Sequence, residues 1–114
     1  MTSSSAASSG TEVTVADHPE NSRFEAFIDG QRVGLADYRL SDGAITFTHT
    51  VVDAAGEGKG VGSTIASAAL DAARDRGLRV VPECTFIARY ISRHDEYLEL
   101  VDESDRQLVE QNAG

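Results

Sequence analysis

The chain has 114 residues, 40% of them apolar and 25% charged, the make-up of one ordinary globular domain. Nineteen acids against ten bases leave a net charge of −9, which disfavours nucleic-acid backbones and anionic membrane surfaces as general partners. The single cysteine, Cys84, excludes an intrachain disulfide and a multi-thiolate zinc site, and it fits the reducing cytoplasm.

Residues 1–10 are almost entirely Ser, Ala, Gly and Thr. They offer little apolar surface to offset the entropy of ordering, so a flexible tail is expected there. They carry neither the basic nor the apolar region of a secretory signal, and the chain contains no run of 18 apolar residues to span a membrane. A single domain is expected over 11–103, with a frayed end over 104–114 or, through Leu108 and Val109, an extension of helix there.

Within the domain, alternation predicts a short strand over Glu12–Ala16 and a turn over Asp17–Asn21. Phe24–Ile28 is the next strand. Asp29-Gly30 then gives a hairpin signal, because a type I′ turn needs positive φ at both central residues. Val33–Leu40 returns, Ser41–Gly43 turns again, and Ala44–Val52 forms a long strand. Strict alternation puts Ile45, Phe47, His49 and Val51 on one face of that strand and Thr46, Thr48 and Thr50 on the other. The first half therefore reads as an antiparallel meander.

Four glycines stand at 56, 58, 60 and 62. An Ala-rich helix comes next over 63–76, with Val61, Ile65, Ala69 and Ala72 on one stripe. Gly77 stands where a helix C′ residue belongs, and Arg74, Asp75 and Arg76 look like a solvated face. Leu78–Val81 is a short buried strand ended by Pro82, which has no N–H for a ladder. From Thr85 the spacing of Phe86, Tyr90 and Ile91 is helical, and Tyr97, Leu98 and Leu100 continue in helical turns. Strand, loop, helix and strand from 44 to 81 make a βαβ unit and so a parallel pair.

The glycine loop carries the chemistry. Glycines let backbone approach a ligand, and the helix start beyond them offers unpaired N–H groups and a positive dipole end. That combination suits a phosphate or pyrophosphate. Lys59, the chain's only lysine, lies in the loop. Neither the Walker ending Gly-Lys-Ser/Thr nor the dinucleotide spacing Gly-x-Gly-x-x-Gly is present at the helix start. Three separated histidines make no metal set, so no metal is expected.

The stretch VVDAAGEGKGVGSTIASAALDAARDRGLRVVPEC, with Tyr90 and RHDEY after it, resembles the core of the GNAT N-acetyltransferase superfamily, and more narrowly its small single-domain YjdJ-like branch. The resemblance spans about residues 23–101. It implies a minimal α+β (α/β sandwich-like) GNAT fold: an antiparallel meander, a βαβ unit with splayed parallel strands, and a C-terminal helix. It implies acetyl-CoA as cosubstrate, an amine as acceptor, and an enzyme that moves the acetyl group between them. The alternative is a CoA-binding module or sensor without robust catalysis.

In that family an Arg/Gln-x-x-Gly-x-Gly/Ala loop holds the pyrophosphate. Glu57, Gly58, Lys59, Gly60, Val61 and Gly62 match it, with Ser63 next, and Glu57 replaces the usual Arg or Gln. The pantetheine arm would pair with the backbone of Thr50, Val51 and Val52 as an added strand, placing the thioester near Cys84. Tyr90 matches the family's tyrosine acid for the leaving thiolate, or else is an amphipathic core residue. Cys84 is either an acyl-accepting nucleophile, which needs a base and a lowered pKa, or a small buried hydrophobe. His49 is either a base for the amine or a hydrogen-bonded core residue. His94 is expected to fix the second helical segment, and His18 to be solvated in a turn. Only residues 17–23 separate the first two strands, which leaves no room for the helices that wall the acceptor pocket in larger relatives. The acceptor is then large, or a second subunit completes the pocket, so monomer and dimer both stay open.

Overall fold

The computed structural model describes residues 12–56 and 58–112. The expected flexible tail over 1–10 therefore lies outside the described residues. Five strands form one sheet in the order β1 (Thr14–His18), β2 (Arg23–Ile28), β3 (Gln31–Ser41), β4 (Ala44–Val52) and β5 (Arg79–Pro82). The first four run antiparallel to their neighbours and β5 is parallel to β4. Between β4 and β5 lies α1 (Val61–Asp75), and α2 (Thr85–Arg93) and α3 (Arg106–Gln111) come after β5. This is the α+β meander and βαβ unit that the sequence predicts.

The first strand starts two residues later than alternation suggests and absorbs Asp17 and His18. Pairing explains the shift, because His18 is in register with Arg23 across a single 3₁₀ turn at Pro19–Asn21. His18 is not free in solvent: its ring nitrogens lie 3.3 Å from both Glu20 and Glu25. Glu25 is buried on the sheet face opposite Phe24 and Ala26, and Arg32 donates to it at 3.1 Å. A buried carboxylate needs such partners to offset its desolvation.

One hydrophobic cluster joins the sheet to the helices. α1 contributes Val61, Ile65, Ala66, Ala69, Leu70 and Ala73 as its buried stripe. Ala72 packs only at the margin of the cluster, since the buried row Val61, Ile65, Ala69 continues at the i+4 spacing to Ala73. Full burial of a side chain such as Ile65 is worth about 1.5–3 kcal/mol. The small residues let the helix lie close: a Cβ on Gly34 of β3 would stand 3.0 Å from Val61 Cγ1 and 3.1 Å from Ile65 Cδ1. At the other end, Gly77 (φ +68°) succeeds the helix, its N–H donating to Arg74 O and that of Leu78 to Ala73 O. That double bond is the Schellman stop that glycine makes accessible.

Arg74 and Arg76 do more than solvate a face. Arg74 donates to Glu96 O at 2.6 Å and lies over the Tyr97 ring, while Arg76 donates to Asp17 at 2.8 Å. They tie α1 to the 3₁₀ turns over Asp95–Leu100 and to β1. The end of the chain is likewise organised. Arg106–Gln111 is helical and buries Val109, the helix that Leu108 and Val109 offered as the alternative to fraying.

Candidate active site

The strand that borders the site is not regular. Asp37 pairs with His49 and Tyr38 with Phe47, so Thr48 is an extra residue, a bulge in β4. A bulge reverses the side-chain alternation of the residues beyond it. Before it, Ile45 and Phe47 are in the core; after it, His49 and Val51 are exposed. The single face expected for Ile45, Phe47, His49 and Val51 is therefore broken at Thr48, and His49 is not a core residue. Thr50 instead turns inward, and its Oγ1 lies 3.1 Å from Cys84 Sγ.

β5 stays with β4 only from Ala44 to Phe47, and Pro82 is its last paired residue. Cys84 then donates its N–H to Phe47 O at 2.8 Å, and the chain turns away into α2. From Thr48 to Val52, β4 keeps β3 on one side and has no strand on the other among the described residues. This is a splayed pair: an open strand edge whose closed end holds Cys84 and Thr50.

The glycine loop lies at the open end of the wedge. Asp53 N–H bonds Val33 O at 2.8 Å, and the N–H groups of Gly56 and Lys59 bond back to Asp53 O and Gly56 O. Gly58 and Gly60 have φ of +79° and +73°, which favours glycine. Gly60 caps α1 without a side chain. Thr64 takes up Gly60 O, but no described residue accepts from the N–H of Val61, Gly62 or Ser63. Among the described residues nothing accepts from these adjacent donors at the helix start, a position that suits an anion. The Val61 side chain itself is buried, so only its backbone serves the loop. Lys59 is exposed, with no carboxylate within 4.0 Å among the described residues. Glu57 lies outside the described residues.

A cleft of about 270 Å³ runs along this loop from Val52 to Ser63, with Phe86 of α2 as its far wall. The Phe86 ring covers Gly62 so closely that a Cβ there would meet Cζ at 2.7 Å. A second, smaller cavity, also bordered by Ser63 and Phe86, lies along α2 and is lined by Arg89, Tyr90, Arg93 and His94. Tyr90 is half-buried, its ring stacked on His94 with centroids 3.9 Å apart. His94 Nδ1 lies 2.8 Å from Tyr90 O and fixes the end of α2, as expected of it. No hydrogen bond engages the Tyr90 hydroxyl among the described residues.

The structure thus brings Thr50 and Cys84 together at the closed end of the wedge, sets the glycine loop at its open end and Tyr90 on α2, and leaves His49 exposed at the strand edge. Sequence reading missed Phe86, Arg89 and Arg93 as groove residues. Their spacing on a helix just after Cys84 was the available signal.

Comparison with known proteins bears on this geometry. The family model for GCN5-related N-acetyltransferases matches residues 23–100. Among solved structures, the NMR structure of a GCN5-like N-acetyltransferase candidate from Staphylococcus aureus is 21% identical, covering 82% of this chain and 90% of that one, with a TM-score of 0.56. At that identity the likeness concerns the fold. A comparison with curated proteins finds no match. The bulged, splayed β4, the glycine loop and the family match over 23–100 agree, and the chain belongs to the GCN5-related N-acetyltransferase family.

Proposed function

We propose that this protein binds acetyl-CoA in the β4–β5 wedge and transfers the acetyl group to an amine. The observation that carries the reading is the pairing of an open strand edge at Thr50–Val52 with N–H groups at Val61, Gly62 and Ser63 that have no acceptor among the described residues. A pantetheine arm carries amides that add to such an edge, and a pyrophosphate suits such donors. Lys59 adds a charge beside them. Glu57 contributes no positive charge, so the contact is mainly backbone.

Acetyl-CoA supplies a thioester. Transfer forms the N–C bond to the amine, breaks the C–S bond, and needs one proton removed from nitrogen and one given to sulfur. The Tyr90 hydroxyl, without a hydrogen-bond partner among the described residues, is suited to give the second. His49, exposed beside Thr50, is suited to take the first. Cys84 lines the closed end of the wedge. Its side-chain neighbour at 3.1 Å is a threonine hydroxyl rather than a base, which favours direct transfer over an acetyl-cysteine route. The single thiol fits the reducing cytoplasm. The short link from β1 to β2 leaves the acceptor side unwalled, which suits a large acceptor such as a protein amine or a pocket completed by a second subunit.

Thiol release measured over a panel of amines and peptides with acetyl-CoA tests the reading. Turnover is expected with at least one acceptor, reduced about 10–100-fold by Tyr90→Phe and retained by Cys84→Ala. Binding without turnover on any acceptor would make the protein a CoA-binding module. Acetylated Cys84 on mass spectrometry, with loss of turnover in Cys84→Ala, would replace direct transfer by the two-step route.

A further inference from the structure

Helices cover one face of the sheet, where Ala36 and Tyr38 of β3 and Ile45 and Phe47 of β4 join the cluster shared with α1 and α2. Thr50 and Cys84 meet on that side, and the start of α1 stands over it. A cofactor held there leaves the acceptor the opposite face. Asp37 and Arg39 alternate with Ala36 and Tyr38 and so turn to that opposite face, and His49 is in register with Asp37. Glu83 joins them from the other strand of the wedge. It follows Pro82, the last residue of β5 paired with β4, and its Oε1 lies 3.8 Å from Arg39 Nη2. His49 and Glu83 thus flank the mouth of the wedge on the face away from the helices.

We infer that Glu83 selects the acceptor by holding a second ammonium group on it, so that the amine acetylated here belongs to a dibasic molecule. The inference rests on the acetyl-transfer reading and names a substrate class for it. The other carboxylate on this rim is engaged, since Arg23 donates to Asp37 at 3.2 Å. The Arg39–Glu83 pair is the longest ion pair among the described residues, and 3.8 Å is beyond hydrogen-bond length. Both side chains are at least half exposed, and an exposed pair of that kind is weak. An arriving ammonium therefore displaces Arg39 at little cost. The reacting nitrogen has to lose a proton, the task that suits His49, and a carboxylate holding it as ammonium would oppose that step. The charge of Glu83 serves a second nitrogen, which stays protonated throughout.

Steady-state acetyl transfer by the full chain to 1,4-diaminobutane and to butylamine tests this, read as the ratio of the two kcat/KM values. The intrinsic reactivities of the two amines cancel when that ratio is compared between proteins. Glu83→Gln is expected to lower the ratio about five- to tenfold, through KM for the diamine. Arg39→Ala removes the competing cation and is expected to keep the ratio or raise it. An unchanged ratio in Glu83→Gln, even where both rates fall, would overturn the inference and leave the acetyl-transfer reading standing. So would a lowered ratio in Arg39→Ala, or turnover of neither amine by a wild type that acetylates other acceptors. A wild type that binds no acetyl-CoA, or acetylates no acceptor at all, would overturn the acetyl-transfer reading and this inference with it. Both substituted side chains are exposed, so neither variant disturbs the core.

Discussion

Asp17 accepts from Tyr38 Oη at 2.7 Å and from Arg76 at 2.8 Å, so one carboxylate joins the sheet to the end of α1. Burial, and then the hydrogen bond to Asp17, push the Tyr38 phenol up from 10.0 to about 12. A phenol raised in the folded state keeps its full contribution to stability below its unfolded pKa. That contribution is lost as pH climbs through about 10 to 12, because the unfolded chain releases its proton first. Two pH units correspond to about 2–3 kcal/mol. The stability advantage of the wild type over Tyr38→Phe is therefore expected to shrink by about 2 kcal/mol between roughly pH 9 and 12, measured by urea unfolding. A constant gap would mean that the phenol is not held neutral by its site. Tyr97, raised by burial and by its bond to Asp71, titrates in both proteins and cancels.

At the scale of elements, the spacing of α1 over β3 sets where the helix start, and so its N–H groups, can stand. Gly34 provides that spacing, since its missing Cβ would lie 3.0 Å from both Val51 O and Val61 Cγ1. Gly34→Ala forces the two elements apart, and a loss of about 1–3 kcal/mol in urea unfolding is expected, as for overpacked cores. A neutral result would show that the helix start is not seated by this contact.

The βαβ unit was legible because its signals are local: the turn residues, the Ala-rich stripe, Gly77, and Pro82 at the end of the ladder. The glycine loop before α1 was legible for the same reason. The bulge at Thr48 was not legible, because it exists only in the pairing of β4 with β3, and alternation along one strand cannot register an extra residue. Its consequences, the exposure of His49 and the turn of Thr50 toward Cys84, were hidden with it. The roles of Arg74 and Arg76 were hidden because their partners lie more than 20 and 50 residues away in sequence.

Over the whole molecule, the charge is divided. Residues 57–94 carry net +2 and the remainder −11. The groove half is therefore not hostile to a polyanion, while the meander and ends are acidic and favour the approach of a cationic amine. Among the described residues no helix is long and apolar enough to cross a membrane. The central claim is that the glycine loop and splayed wedge hold acetyl-CoA. Its most direct test is calorimetry with acetyl-CoA on the wild type and on Gly60→Glu, with circular dichroism to show that the variant folds. Gly60 has φ +73° and nothing within 4 Å of a Cβ placed on it, so a glutamate there puts strain and negative charge at the anion donors without colliding with the core. Saturable binding by the wild type, abolished or weakened at least about 100-fold in the folded variant, is the predicted result. Equal binding by the two proteins, or none by the wild type, would contradict it.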